Sequence, residues 1–483
     1  MSAAPPAPKL TLGDINPLTL QAKYAVRGKV PTRAEELKKQ LAADPTSVPF
    51  KAIINANIGN PQQLDQKPLS FYRRVTSLIQ NPDLLDIEAV VAAYPPDTVA
   101  RARKFLASAK SVGAYSNSQG VESARSSVAE YISKRDGYPA SKDDIFLTNG
   151  ASAAVEYILE TCLSGEKSGV LIPIPQYPLY TALISLLGAT AMPYYLKEQS
   201  GWSIDATEVE KSVVEKLANG VKTKILVLIN PGNPTGAILS EEAIGELLTI
   251  AAKYGIVVIA DEVYQENVYE GKFISTRKVL KNLQAQDPTF YGNVQLASLH
   301  STSKGVSGEC GQRAGYMELI GFSDEVRAIF VKMVSINLCS VVTGQAVMEM
   351  MVNPPSVGDA SYELDQQQRG DIFKALQDRS KYMTDAFNKM NGIECQKAEG
   401  AMYLFPRIHL PEKFVAQAQE KGVQPDELYC LELLENTGIC TVPGSGFGQV
   451  EGTYHCRTTF LPPGVEWINA WEKFHNEFMS EYQ

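Results

Sequence analysis

The chain has 483 residues, 44% of them hydrophobic and 20% charged, with a net charge of −9. Such a length exceeds one ordinary core, so two lobes are expected, and the acidic balance argues against a nucleic-acid surface or an anionic membrane patch. Seven scattered cysteines without a Cys-x-x-Cys pair, four histidines (His300, His409, His455, His475) at no helical metal spacing, and no apolar run near the ~20 residues of a membrane span speak against disulfide, metal and membrane classes.

In chain order, Met1 to Lys9 reads as a disordered Pro/Ala tail, without the Arg-rich pattern of a transit peptide. The last residues, Ser480-Glu481-Tyr482-Gln483, carry no peroxisomal address. The cytoplasm is therefore the expected compartment, with mitochondrion and peroxisome as alternatives. An amphipathic stretch opens at Pro31 and closes at Pro45, and Ala52 to Ile58 reads as a strand ending at Gly59-Asn60-Pro61.

From about residue 120 helix-period and strand-like runs alternate. Glu122–Arg135 reads as helix, Asp144–Thr148 as strand, and Asn149-Gly150 breaks into a second helix through Leu163. Strands follow at Val170–Ile174, Lys224–Ile229, Ile256–Ala260 and Val294–His300, with a helix over Glu241–Tyr254. Continuous Val/Ile/Leu strands separated by helices predict a mostly parallel sheet flanked by helices. After about 355 long helical runs dominate, with short strands near Met402–Phe405, Ile439–Val442 and His455–Phe460. The expected division is an N-terminal arm and part of a small domain (1–110), a large domain (111–354) and a small C-terminal domain (355–483).

Four motifs sit where open α/β sheets bind ligands, just past strand C-termini or their turns. Lys304 follows an apolar strand and the hydroxyls of Ser301 and Ser303, as a Schiff-base lysine would. Asp261 ends Ile256-Val257-Val258-Ile259-Ala260 and suits a cationic ring nitrogen; Glu262 is its rival, since strand alternation turns only one of the two toward the site. Asn233, in Asn230-Pro231-Gly232-Asn233-Pro234-Thr235-Gly236, and Tyr264 are donors for a phenolate oxygen. The Asn233 segment also reads as a plain turn. Ala151 and Ser152 open a helix whose free N–H groups favour an anion, and Ser301, Ser303 and Arg313 add donors to it. Tyr177 can stack on a ring, and Arg457 matches a carboxylate with two parallel hydrogen bonds. An amine, a ring acid, phenolate donors, a phosphate pocket and a carboxylate fork together describe pyridoxal 5′-phosphate (PLP) chemistry.

These blocks, with Ala56–Gln62, Gly113–Gly120, Pro173–Tyr180, Gly308–Tyr316, Glu399–Tyr403 and Val442–Gln449, run in order over about residues 50–465. They resemble the fold-type-I PLP enzymes of the aspartate aminotransferase superfamily and, within them, the alanine aminotransferases. The resemblance implies a large domain plus a smaller discontinuous α/β domain, and ping-pong transamination of L-alanine and 2-oxoglutarate to pyruvate and L-glutamate. It gives Lys304, Asp261 and Tyr264 the catalytic roles, and places Gly59, Asn233 and Arg457 at the substrate carboxylate. It brings Tyr115 to the phosphate from a neighbouring subunit, hence a homodimer. Glutamate:glyoxylate aminotransferases share nearly all these blocks, and PLP lyases of the aminocyclopropane-carboxylate synthase type share the lysine, acid and arginine; both stand as alternatives.

Overall fold

Seven strands build one sheet in a computed structural model that describes residues 9–22, 24 and 28–482. The expected disordered tail falls largely outside the described residues. The strands are β1 (Ile145–Thr148), β2 (Ser168–Ile174), β3 (Thr190–Tyr195), β4 (Lys222–Ile229), β5 (Val257–Asp261), β6 (Leu296–Ser301) and β7 (Gly315–Ile320). Their order is β1-β7-β6-β5-β4-β2-β3; pairs from β6 through β3 are parallel, and β7 runs antiparallel to both neighbours.

Alternation along the strands sorts side chains to two covered faces. Ile225, Val227, Ile259 and Leu299 pack under helices α1 (Ala151–Cys162), α2 (Leu179–Leu186) and, further along the chain, Asp324–Ile336. Leu226, Leu228, Val258 and Leu296 pack under α3 (Ala206–Ala218), α4 (Glu241–Tyr254) and α5 (Thr276–Gln286). Each such buried aliphatic side chain stabilises the fold by about 1.5–3 kcal/mol. Local signals set the helix ends: Ser240 caps α4 by accepting the Ala243 N–H, and Gly255 ends it in the left-handed region.

Two strands escape the sequence pattern. β3 is an edge strand with alternate residues exposed and Pro193 in its middle, which disguises it. β7 carries Glu318, whose buried carboxylate is paired to the Arg277 guanidinium at 2.9 Å, so a charge interrupts its apolar run.

A second apolar cluster joins the two ends of the chain. The helix Lys29–Ala43 packs with Tyr362–Phe387, Pro425–Thr437 and Glu466–Tyr482, and Ile54–Asn55 pairs in parallel with Ile439–Cys440. Helices Ser70–Gln80 and Pro96–Ala109 pack elsewhere, against Glu122–Asp136 and Val342–Val352 beside β1 and β7. Their apolar faces, not their place in the chain, decide that partner.

Behind β5–β7 lies a buried polar layer. Arg277 meets Glu318 and Asp136, Arg135 meets Asp136, and Glu262 accepts the Thr276 N–H at 2.7 Å. Burial pushes the Glu262 carboxyl up to about 7. His300 lies in the same layer with no hydrogen-bond partner on either ring nitrogen, and burial pushes it from 6.5 down to about 3. Below pH 6.5 the unfolded chain gains a proton at this residue that the folded chain refuses, so its stabilising contribution is lost as pH falls from 6.5 toward 3. Chemical denaturation across that window should therefore show a shallower acid decline for His300→Gln, by up to about 1.4 kcal/mol per pH unit. An unchanged slope would contradict a neutral, buried His300.

Candidate active site

Three parallel strands deliver the site. In the register Ile229 lies beside Asp261 and Asp261 beside Leu299, so β4, β5 and β6 end together. The turn bearing Asn233 leaves β4, Asp261 closes β5, and the loop to Lys304 leaves β6. Across the sheet, β1 runs into α1 at Gly150-Ala151, and Arg313 precedes β7. The result is a cleft of about 430 Å³.

Twelve expected residues line that cleft: Gly59, Ala151, Ser152, Tyr177, Asn233, Asp261, Tyr264, Ser301, Ser303, Lys304, Arg313 and Arg457. Tyr115 does not; it is 77% exposed on the outside of this chain. Of the two acids after β5, Asp261 faces the cleft, while Glu262 belongs to the polar layer behind the sheet.

Asp261 is buried, and the Tyr180 hydroxyl donates to its Oδ2 at 2.8 Å. Its Oδ1 has no partner. Burial raises its pKa, an effect that the Tyr180 hydroxyl, the Val263 N–H and the Lys304 charge offset only in part. An unpartnered buried carboxylate oxygen fits a cationic N–H. Lys304 Nζ donates to the Gly59 carbonyl at 2.9 Å and stands 5.8 Å from the Tyr264 ring centroid.

At the other end, Arg313 Nη2 donates to the Asn149 carbonyl at 3.3 Å and to Ser152 Oγ at 3.4 Å, and Nη1 donates to the Cys310 carbonyl at 2.9 Å. Gly150 has φ +79°, and a Cβ there would stand 2.6 Å from Arg313 Nη2, so only glycine lets the guanidinium lie over the start of α1. Guanidinium, hydroxyl and helix N-terminus together suit a phosphate. Arg457 is 1% exposed; its Nη1 donates to Asn233 Oδ1 at 3.0 Å and its Nη2 to the Asn57 carbonyl. With its oxygen so engaged, the Asn233 amide keeps its N–H donors for another acceptor, and Tyr264 offers a hydroxyl.

Sequence reasoning missed three tyrosines. Tyr180 lies three residues after Tyr177, the helical spacing that could have flagged it. Tyr24 meets Tyr177 hydroxyl to hydroxyl at 2.6 Å. Tyr403 accepts the Tyr264 hydroxyl at 3.4 Å, and its phenol end closes over Gly59. Burial alone would raise the Tyr403 phenol, but the Lys304 and Arg457 cations beside it turn the shift downward. Only its place in the Glu399–Tyr403 block pointed to it.

Parallel strand ends, a lysine, a buried acid with an unpartnered oxygen and a cationic helix start are what the class of PLP enzymes requires. The family model for aminotransferase class I and II matches residues 85–464, and the chain belongs to that family, whose members use PLP. The mitochondrial alanine aminotransferase of Saccharomyces cerevisiae is 58% identical, over 99% of this chain and 82% of that protein. An inactive alanine aminotransferase of the same yeast is 53% identical, over 99% of this chain and 96% of its own length. Among solved structures, the alanine aminotransferase from Pyrococcus furiosus superposes with a TM-score of 0.75 at 26% identity, covering 96% of this chain and all of that one.

Proposed function

We propose that the chain is an active alanine aminotransferase, exchanging L-alanine and 2-oxoglutarate for pyruvate and L-glutamate in two half-reactions. When bound, the cofactor supplies an aldehyde for the amino group and a ring that takes up the electron pair left at the substrate Cα. Lys304 provides the amine that holds it and then moves the proton from Cα. Asp261 holds the proton at the ring nitrogen. Asn233 and Tyr264 donate to the ring oxygen, Tyr177 covers the ring, and Ala151, Ser152, Ser301, Ser303 and Arg313 bind the phosphate. Arg457 binds the substrate carboxylate, with Asn233 and Gly59 beside it.

The observation that carries the reading is the unpartnered Oδ1 of buried Asp261, in the same cleft as Lys304. Because one close relative is described as inactive, identity alone does not establish turnover; the complete set of groups in one cleft supports it.

The test is a half-reaction with L-alanine and no acceptor. One pyruvate per site should be released, and one L-glutamate should form when 2-oxoglutarate follows. A lyase, finding no leaving group on L-alanine, would release no pyruvate and keep the cofactor in its aldehyde form, and preferential amination of glyoxylate would favour the glyoxylate enzyme.

The exposed Tyr115 fits a homodimer in which it serves the partner's phosphate pocket. Exposed Ile336, Leu338 and Val341 support that surface, since Gln345 ties the same region to Ser116 and Ser340. For the compartment, the yeast relative favours the mitochondrial alternative over the cytoplasm. The packing favours a domain division in which the arm to about residue 66 joins the C-terminal lobe and residues 69–110 join the large one.

A further inference from the structure

Arg457 is a buried cation that forms no ion pair with a carboxylate among the described residues. Two aromatic rings bracket it instead. Its Cζ lies 4.1 Å from the Tyr403 ring centroid and 4.6 Å from that of Phe447. The ring faces are electron-rich and attract a guanidinium laid over them. In the guanidinium plane, Nη1 is held by Asn233 and Nη2 by the Asn57 carbonyl, while Nε is buried without a partner.

Each ring is fixed independently of the arginine. Phe447 is fully buried, its carbonyl accepts the Gln176 N–H at 2.8 Å, and its ring packs on Phe405 at 5.9 Å. Phe405 packs in turn on Trp202 at 5.9 Å. Tyr403 is fixed by packing, its ring edge-on to Tyr264 with centroids 6.0 Å apart and its phenol end closed over Gly59, where a Cβ would clash with it.

We propose that Tyr403 and Phe447 are positioning residues, an aromatic clamp that fixes the plane of Arg457 and thereby sets the affinity for the carboxylate shared by the amino acid and the oxo acid. The proposal rests on the reading of Arg457 as the carboxylate site. Two rings leave the guanidinium only its edge for a ligand, which is the orientation two parallel hydrogen bonds require. Without them a flexible side chain would have to be ordered on each binding event, at a cost in affinity.

The test uses the holoenzyme and propionate, which is alanine without its amine and cannot react. Its dissociation constant is read from the perturbation of cofactor absorbance, beside the KM values of L-alanine and 2-oxoglutarate. Tyr403→Leu and Phe447→Leu should each raise all three constants about tenfold, equivalent to about 1.4 kcal/mol, with a much smaller change in kcat. Tyr403→Phe and Phe447→Tyr keep the ring and should hold the three constants within about twofold. Should Phe447→Leu not yield folded enzyme, Phe447→Met, which roughly keeps the volume without the ring, serves in its place. Arg457→Lys separates the two readings. If it weakens propionate while the ring-less variants do not, the clamp is refuted and Arg457 stands; if it leaves propionate unaffected, the carboxylate reading falls and the clamp with it.

Discussion

Lys304→Ala should lower turnover by about 10⁴-fold or more, the upper range for removal of a positioned proton carrier, while the variant still retains PLP without a covalent bond. Both halves follow from geometry. The Nζ atom reaches the cleft from the loop after β6, hydrogen-bonded to the Gly59 carbonyl and paired with no carboxylate among the described residues. It is therefore open to join an aldehyde. Apart from Ser301 and Ser303, the groups suited to phosphate and ring belong to other segments, α1, Arg313 and Asp261, and survive the substitution. Borohydride treatment of the wild type followed by peptide mapping should label Lys304, and the variant should show no label. Turnover within tenfold of wild type, or a label elsewhere, would refute the assignment.

Asp261→Asn is expected to cost about 10³-fold in kcat/KM, about 4 kcal/mol of transition-state stabilisation. The amide has nearly the shape of the carboxylate and can still accept the Tyr180 hydrogen bond, so the fold should stay intact. What it loses is negative charge at Oδ1, the buried atom that no protein group satisfies. An amide cannot hold a proton at a pyridine nitrogen, and the ring then takes up electrons poorly. Thermal unfolding of the cofactor-free protein, unchanged from wild type, separates this loss from misfolding. A loss below tenfold would mean that Asp261 does not face the ring.

How much of this was legible in the sequence depended on which interactions decide each feature. The strands that became β4, β5 and β6 were plain because both of their faces are buried, leaving unbroken Val/Ile/Leu runs. β3 and β7 were hidden, one by exposure and Pro193, the other by a charge whose partner, Arg277, lies 41 residues away. Alternation says that Asp261 and Glu262 diverge but not which way each turns; the resemblance alone chose Asp261, the one that faces the cleft. Tyr403 was illegible for another reason. Its place beside Lys304, Gly59 and Arg457 is set by contacts between distant segments, and no local spacing encodes them. Arg457 was found as a fork for carboxylates, but the rings around it were not.

The parallel pairing of Ile54–Asn55 with Ile439–Cys440 has a consequence for biosynthesis. The N-terminal partner leaves the ribosome long before its mate exists, a wait of roughly 20–80 s at about 5–20 residues per second. Gly59, whose carbonyl accepts the Lys304 Nζ, follows shortly after that early segment. During translation that strand waits for its mate, so Lys304 is made and the central sheet can form before the Gly59 carbonyl opposite it is locked in place. Completion of the cleft is thus a late event in synthesis, with the early strand unpaired until residues 439–440 are made.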